Sequence, residues 1–281
     1  MGGKYLTRVI TGLLLGVLFV FLALYAAAFW FFVLVVLIIC LALFEYYKIT
    51  IGNDKIFLVI GILLGAIVPV IIYLFEYKGF SGYLIFYLIF AVFFIFIDSL
   101  FRYNLPAPDR INQGLASVTT RIGAGVLGII YIAFPVSHLI LIRDLEQGRF
   151  WVLFLVCIIV ANDTFAYYAG KGLGKHKLSP VISPKKTVEG ALGGLLGGVV
   201  VALIFHHFFL THISLKEINV LAIFIGILGQ LSDLFESLIK RSAGVKDSGG
   251  ILPGHGGMLD RIDSLIFPIP FLYYYLIYFR L

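Results

Sequence analysis

Residues 9–44 read VITGLLLGVLFVFLALYAAAFWFFVLVVLIICLALF, a run without one Asp, Glu, Lys, Arg or His. A helix that crosses a bilayer needs about 20 apolar residues. This run is too long for one such helix and short for two, so it predicts two short helices meeting near residues 26–30. Runs of the same grade follow at 56–75, 83–100, 122–142, 150–168, 188–210, 218–235 and 264–279. The reading is therefore an all-α integral membrane protein of about nine transmembrane helices. Composition agrees: 61% of the 281 residues are hydrophobic and 13% charged, with a mean hydropathy of +1.07. A soluble domain carries about 25% charged residues. MGGKYLTR and the run after it resemble a signal peptide, but a second apolar run follows Ala28, so a retained helix is expected.

With nine spans, 16 of the 21 Lys and Arg fall on one side, including Lys4, Arg8, Lys48 and both long polar loops. The other side holds Lys78, Arg143, Arg149, Lys216 and Arg280. The positive-inside rule then puts the N-terminus and those loops in the cytoplasm, with the C-terminus outside. Cys40 and Cys157 both lie in apolar runs and read as inert small hydrophobes. Gly190, Gly194 and Gly198, with Gly193 and Gly197 beside them, read as a row for close helix packing. No GxxxxGK[ST] occurs, which leaves a P-loop NTPase unsupported. Pro268 and Pro270 are expected to kink the last span.

The polar chemistry lies in the second half. Residues 237–263, SLIKRSAGVKDSGGILPGHGGMLDRID, form a Gly-rich charged segment between two apolar runs. Acids inside a membrane are costly and are functional candidates by default. Asp163 lies in ANDTFAYYAGKGLGK, Asp233 and Glu236 in GQLSDLFES, and Asp260 and Asp263 before the last span. A spacing of three puts two carboxylates on one helical face. Such a pair suits Mg²⁺, which takes one or two carboxylates and shares the rest of its shell with water and phosphate. The bland alternative is an Asp–Arg pair, for instance Asp260 or Asp263 with Arg261 or Arg241. Asp98, at a span end, reads as interfacial. Residues 176–190, HKLSPVISPKKTVEG, read as a cationic loop whose Ser183 or Thr187 caps the next helix; its lysines suit a phosphate or simply flank a span. His255, flanked by glycines, reads as a phosphate contact, an acid or base, or a turn residue.

The 237–263 segment resembles the signature of the phosphatidate cytidylyltransferase family. Ser237, Lys240, Arg241, Lys246, Asp247, Gly249, Pro253, His255, Gly256, Gly257, Asp260, Arg261 and Asp263 all fit it, and SPKKTVEG and the Asp163 segment are also similar. The likeness covers about the last 120 residues, giving N-terminal helices at 1–121 and a catalytic region at 122–281 that builds a cytoplasm-facing polar site. It implies joining CTP to phosphatidic acid, with CDP-diacylglycerol and pyrophosphate as products, in phospholipid biosynthesis at the inner (cytoplasmic) membrane. It implies that Asp233, Asp260 and Asp263 hold Mg²⁺ together with a monovalent cation such as K⁺, and that Lys240 acts with them in catalysis. Lys185, Lys186, Arg241, Lys246, His255 and Arg261 would contact CTP or lipid phosphate. A homodimer through the Gly-rich span is an open expectation, and no nucleic-acid partner is expected. Two rival readings are another CTP-dependent lipid enzyme (a polyprenol kinase or an archaeal-type CDP-lipid synthase) and a secondary transporter. The second lacks the internal repeat it requires.

Overall fold

The computed structural model describes residues 2–52, 54–75, 80–103, 114–252 and 254–279. Pro253 and the side chains of Lys4, Arg8, Lys78, Arg102, Arg110 and Arg280 lie outside that description. The chain is an antiparallel bundle of long apolar helices. Helix α1 (Gly2–Leu24) and α2 (Ala28–Ile51) divide the opening run where the sequence placed the break. They are followed by α3 (Lys55–Phe75), α4 (Phe80–Tyr103) and α5 (Gly114–Leu127). A π-helical turn at Gly128–Ala133 joins α5 to α6 (Phe134–Asp144), so one span runs from 118 to 144. Then come α7 (Gly148–Leu173), α8 (Val188–Phe208) and α9 (Leu215–Ser242). Eight helices of the described residues are long and apolar enough to cross a membrane, and α1 adds a shorter apolar stretch at Thr11–Leu24. This is a multi-pass membrane protein.

Two elements differ from the sequence reading. Residues 177–187, expected as a loop, form an antiparallel hairpin of β1 (Lys177–Ser179) and β2 (Ser183–Thr187). The last span, 259–279, is irregular ahead of its prolines: α10 (Leu259–Ile262) passes through a 3₁₀ turn at Asp263–Leu265 into α11 (Pro268–Phe279). Pro268 opens α11, where its missing N–H leaves no bond unmade, because first-turn donors lack intrahelical partners anyway. Ser232 on α9 meets the turn. Its hydroxyl donates to the Asp263 carbonyl and accepts from the Phe267 N–H at 3.4 Å.

The glycine row packs as expected. Gly193 lies against Ala169, Gly194 against Asn162 and Gly197 against Phe165, so α8 meets α7 nearly backbone to backbone. At the other end of the bundle Arg143 closes α1. It donates to the Ala23 carbonyl at 3.1 Å and to the Ala26 carbonyl, with its guanidinium over the Phe31 ring. The Ala23 carbonyl is in the last turn of α1 and has no partner within that helix, and the Ala26 carbonyl lies in the link that follows. Asp98 is more than interfacial: Arg121 bridges it at 3.5 Å and Asp54 at 2.7 Å, linking α4 and α5 to the start of α3.

Gly197→Leu is expected to overpack the α7–α8 contact and cost about 1–3 kcal/mol, seen as earlier thermal unfolding in detergent. Gly16→Leu, with nothing near its Cβ position, should leave unfolding in place. Equal behaviour of the two variants would show that the contact is slack.

Candidate active site

The C-terminal ends of α2, α7 and α9, the N-terminal ends of α8 and α10, and the hairpin meet at one face of the bundle. Thr187 caps α8 by accepting from the Gly190 N–H at 3.1 Å. Glu189 in the first turn accepts from the Lys175 and His176 N–H groups and from His176 Nδ1 at 2.6 Å. That clasp closes the hairpin and aims Lys186 at α9, where its ammonium lies 2.5 Å from Asp233 Oδ2. Lys185, Lys186, Asp163 and Asp233 line a cavity of about 360 Å³. Its inner wall is tied by Gln230, which donates to Asn162 Oδ1 at 3.1 Å and to the Ala191 carbonyl at 3.0 Å. A cavity with three lysines, Lys171 being the third, and two carboxylates fits a polyanion carried with a cation.

Asp233, Glu236 and Lys240 share one face of α9. The Lys240 ammonium stands 2.5 Å from Glu236 Oε2 and 2.7 Å from Asp260 Oδ1. Asp260 also accepts from the Ser248 N–H at 3.1 Å and the Gly257 N–H at 3.1 Å. Its carboxylate thus gathers both limbs of the 237–263 segment onto α9. Asp263, at the 3₁₀ turn, accepts at Oδ1 from the Ser264 N–H at 2.7 Å.

The segment has a second anchor that the sequence reading missed. Glu45 on α2 is 1% exposed and accepts from the Ser248 hydroxyl at 3.1 Å and the Leu259 N–H at 2.9 Å. Gly249 and Gly257 pass so close that a Cβ on either would collide with the Glu45 carboxylate. The signal was present: an acid two turns before the end of an apolar helix. Ending the span at Phe44 moved Glu45 out of the membrane and hid it. Asn162, Gln230 and Ser248 were missed for a different reason, since neutral polar residues carry no sequence flag.

The remaining expected residues divide. Arg241 is spent on structure, donating to the Ile182 and Val245 carbonyls at 3.4 and 3.0 Å. Lys185 and Lys246 are exposed. His255 and Arg261 line a different cavity. Among the described residues no three His, Cys, Asp or Glu side chains form a ready-made metal ligand set. The donor chemistry nonetheless fits Mg²⁺. Asp163, Asp233, Glu236 and Asp263 lie near enough to repel one another, and Glu236 Oε1 is buried without a hydrogen bond. Clustered carboxylates in a low dielectric need countercharge. Mg²⁺ asks for only one or two of them when phosphate and water complete its shell.

The sequence profile of the cytidylyltransferase family matches residues 6–279. The chain belongs to the cytidylyltransferase family. It is 45% identical over 159 residues to the phosphatidate cytidylyltransferase of Bacillus subtilis (strain 168), covering 56% of this chain and 59% of that protein. It is 45% identical over 147 residues to that of Staphylococcus saprophyticus, covering 52% and 56%. It is 48% identical over 127 residues to that of Staphylococcus epidermidis (strain ATCC 12228), covering 45% and 49%. The aligned part thus spans a little over half the length of these relatives at most. The family match, in contrast, runs through α1 and α2 and so includes Glu45.

Glu45→Ala is expected to strand the Ser248 and Leu259 donors at a cost of about 1–3 kcal/mol and to speed amide exchange across 248–259. Glu45→Gln keeps an acceptor and should lose less. Unchanged exchange in Glu45→Ala would mean that the segment is held from elsewhere.

Proposed function

We propose that this chain transfers the cytidylyl group of CTP to phosphatidic acid, yielding CDP-diacylglycerol and pyrophosphate, on the cytoplasmic side of the inner (cytoplasmic) membrane. The observation that carries the reading is the cavity lined by Lys185, Lys186, Asp163 and Asp233, beside a segment held by Lys240 and Glu45, in a chain of this family. The lipid phosphate oxygen attacks the α-phosphorus of CTP, and the bond to the β-phosphate oxygen breaks to release pyrophosphate. A phosphate nucleophile is already ionised at neutral pH, so no strong general base is needed, and positioning and charge neutralisation carry the rate.

Lys186 and Lys185 bind the triphosphate from the hairpin, with Lys186 exchanging its Asp233 partner for phosphate. Asp233 and Asp263, with Asp163 beside them, would hold Mg²⁺, which supplies positive charge to the phosphate oxygens; a monovalent cation such as K⁺ would share the cluster. Lys240 and Asp260 position the segment, and Asp260 enters the metal shell only by loosening its present contacts. Lys246, exposed near the same face, adds positive potential for the incoming anion. The excess of Lys and Arg on this face supports the cytoplasmic orientation. The names of the relatives, phosphatidate cytidylyltransferases, favour phosphatidic acid over a polyprenol acceptor.

Purified protein in phosphatidic acid mixed micelles should convert labelled CTP to a labelled liponucleotide with Mg²⁺ and stop with EDTA. A polyprenol accepted in place of phosphatidic acid would overturn the substrate assignment. Asp263→Asn should abolish turnover while the protein still purifies folded; normal turnover by that variant would sink the metal assignment. Asp98→Asn, remote from the cavity and paired with Arg121, should stay active.

A further inference from the structure

Residues 122–134 read IGAGVLGIIYIAF, and Tyr131 carries the only polar side chain among them. It lies in the π-helical turn at Gly128–Ala133, where the Phe134 N–H reaches back to the Ile129 carbonyl. The extra residue of such a turn rotates the side chains after it by about 100° relative to those before it, and single turns of this kind recur at functional sites. From α2, Tyr47 donates to the Gly125 carbonyl at 3.1 Å, and a Cβ on Gly128 would collide with the Tyr47 ring. Tyr131 enters the bundle 4% exposed. Its ring stands edge-on to Phe235 of α9 and Phe267 of the last span, with centroids 4.9 and 5.9 Å away.

The packing accounts for the ring and leaves the hydroxyl over, buried without a hydrogen-bond partner. Ser232 lies beside it, but that hydroxyl is committed to the Asp263 carbonyl and the Phe267 N–H. Glu236, Asp263 and Asp233 stand close enough to interact with Tyr131 electrostatically, Glu236 most strongly. Buried hydroxyls are almost always paired, because an unmade bond there is costly. Two of the three acids have partners of their own. Asp233 meets the Lys186 ammonium, and Asp263 Oδ1 accepts from the Ser264 N–H and hydroxyl at 2.7 and 3.2 Å. Glu236 is fully buried, meets Lys240 through Oε2 and leaves Oε1 bare. A donor without an acceptor therefore faces an acceptor without a donor.

We propose that Tyr131 is a positioning residue of the site: its hydroxyl donates to the Glu236 carboxylate and keeps that acid on Lys240, apart from the cation that Asp233 and Asp263 would hold. This rests on the reading of the acid cluster as the cation site of a cytidylyltransferase. Glu236 lies one turn from Asp233 on the same face of α9, so a released Glu236 carboxylate would reach for the same ion. Mg²⁺ that must share its shell with phosphate and water takes only one or two carboxylates. A phenol supplies the missing bond without adding a charge that would repel the ion.

Mn²⁺ binding to the nucleotide-free protein, followed by electron paramagnetic resonance, tests this without turnover. Tyr131→Phe keeps the ring and loses only the hydroxyl, so it should unfold no earlier than the wild type. With Glu236 released, it is expected to bind Mn²⁺ roughly tenfold tighter and to lose roughly tenfold in kcat, the size usual for a group one step removed from a metal ligand, with the KM for phosphatidic acid unchanged. Incorporating p-aminophenylalanine at position 131 restores a donor and should restore wild-type Mn²⁺ affinity; p-methylphenylalanine, of the same bulk, should not. This pair carries the comparison should Tyr131→Phe fail to fold. In a Glu236→Gln background, Tyr131→Phe should move Mn²⁺ affinity no further. An unmoved or weaker Mn²⁺ affinity in folded Tyr131→Phe, equal rescue by both para-substituted residues, or the same shift with and without Glu236→Gln overturns the inference, while wild-type turnover leaves the proposed reaction standing. The expected shift in a protein that makes no liponucleotide supports the positioning role and removes the reaction.

Discussion

A lysine ammonium held between two carboxylates governs this architecture. Lys240 and Glu236 lie one turn apart on α9, and Asp260 reaches them from the other side of a polar segment. Burying any one of these charges alone costs several kcal/mol, and removing one partner from a buried pair costs about 3–5 kcal/mol. The three are therefore obliged to find one another. Because Asp260 also accepts from Ser248 and Gly257, satisfying the charges folds the segment back onto α9. Glu45 applies the same constraint from α2. The polar segment is shaped by what the bilayer forbids as much as by any attraction of its own.

That constraint redistributes roles among the signature residues. Asp260 is spent on Lys240 and two N–H groups, and Arg241 on two carbonyls. Asp233, paired to the half-buried ammonium of Lys186, and Asp163, facing the cavity, are the acids better placed to exchange partners. A motif read as a string makes its members look equivalent. Folded, it separates those that hold the segment from those left available to a ligand.

The spans were legible because a bilayer imposes a length and a composition that a sequence displays directly. So were the α1–α2 break and the Gly row on α8, where small residues at spacing four record a neighbouring backbone. The 3₁₀ turn in the last span was not, because Pro268 reads the same inside a helix and at the start of one, and the Ser232 hydroxyl that meets the turn comes from over thirty residues away. The hairpin at 177–187 escaped for want of apolar alternation. Its strands are held by a closing clasp at Glu189 rather than by a buried face. The ion cluster was half legible: the acids announced themselves, but no spacing says that Asp260 belongs to Lys240.

The chain's first half, which looked like apolar filler, bears on the site at two places. Glu45 holds the segment from α2, and Gly12 admits His255 against α1. A segment of this kind buries few apolar side chains, Leu259 and Ile262 among them, and leans on polar anchors for the rest of its conformation. Helices that contribute no conspicuous chemistry must supply the acceptors and the close-approach surfaces. Here that supply is a buried carboxylate on α2 and a close approach on α1.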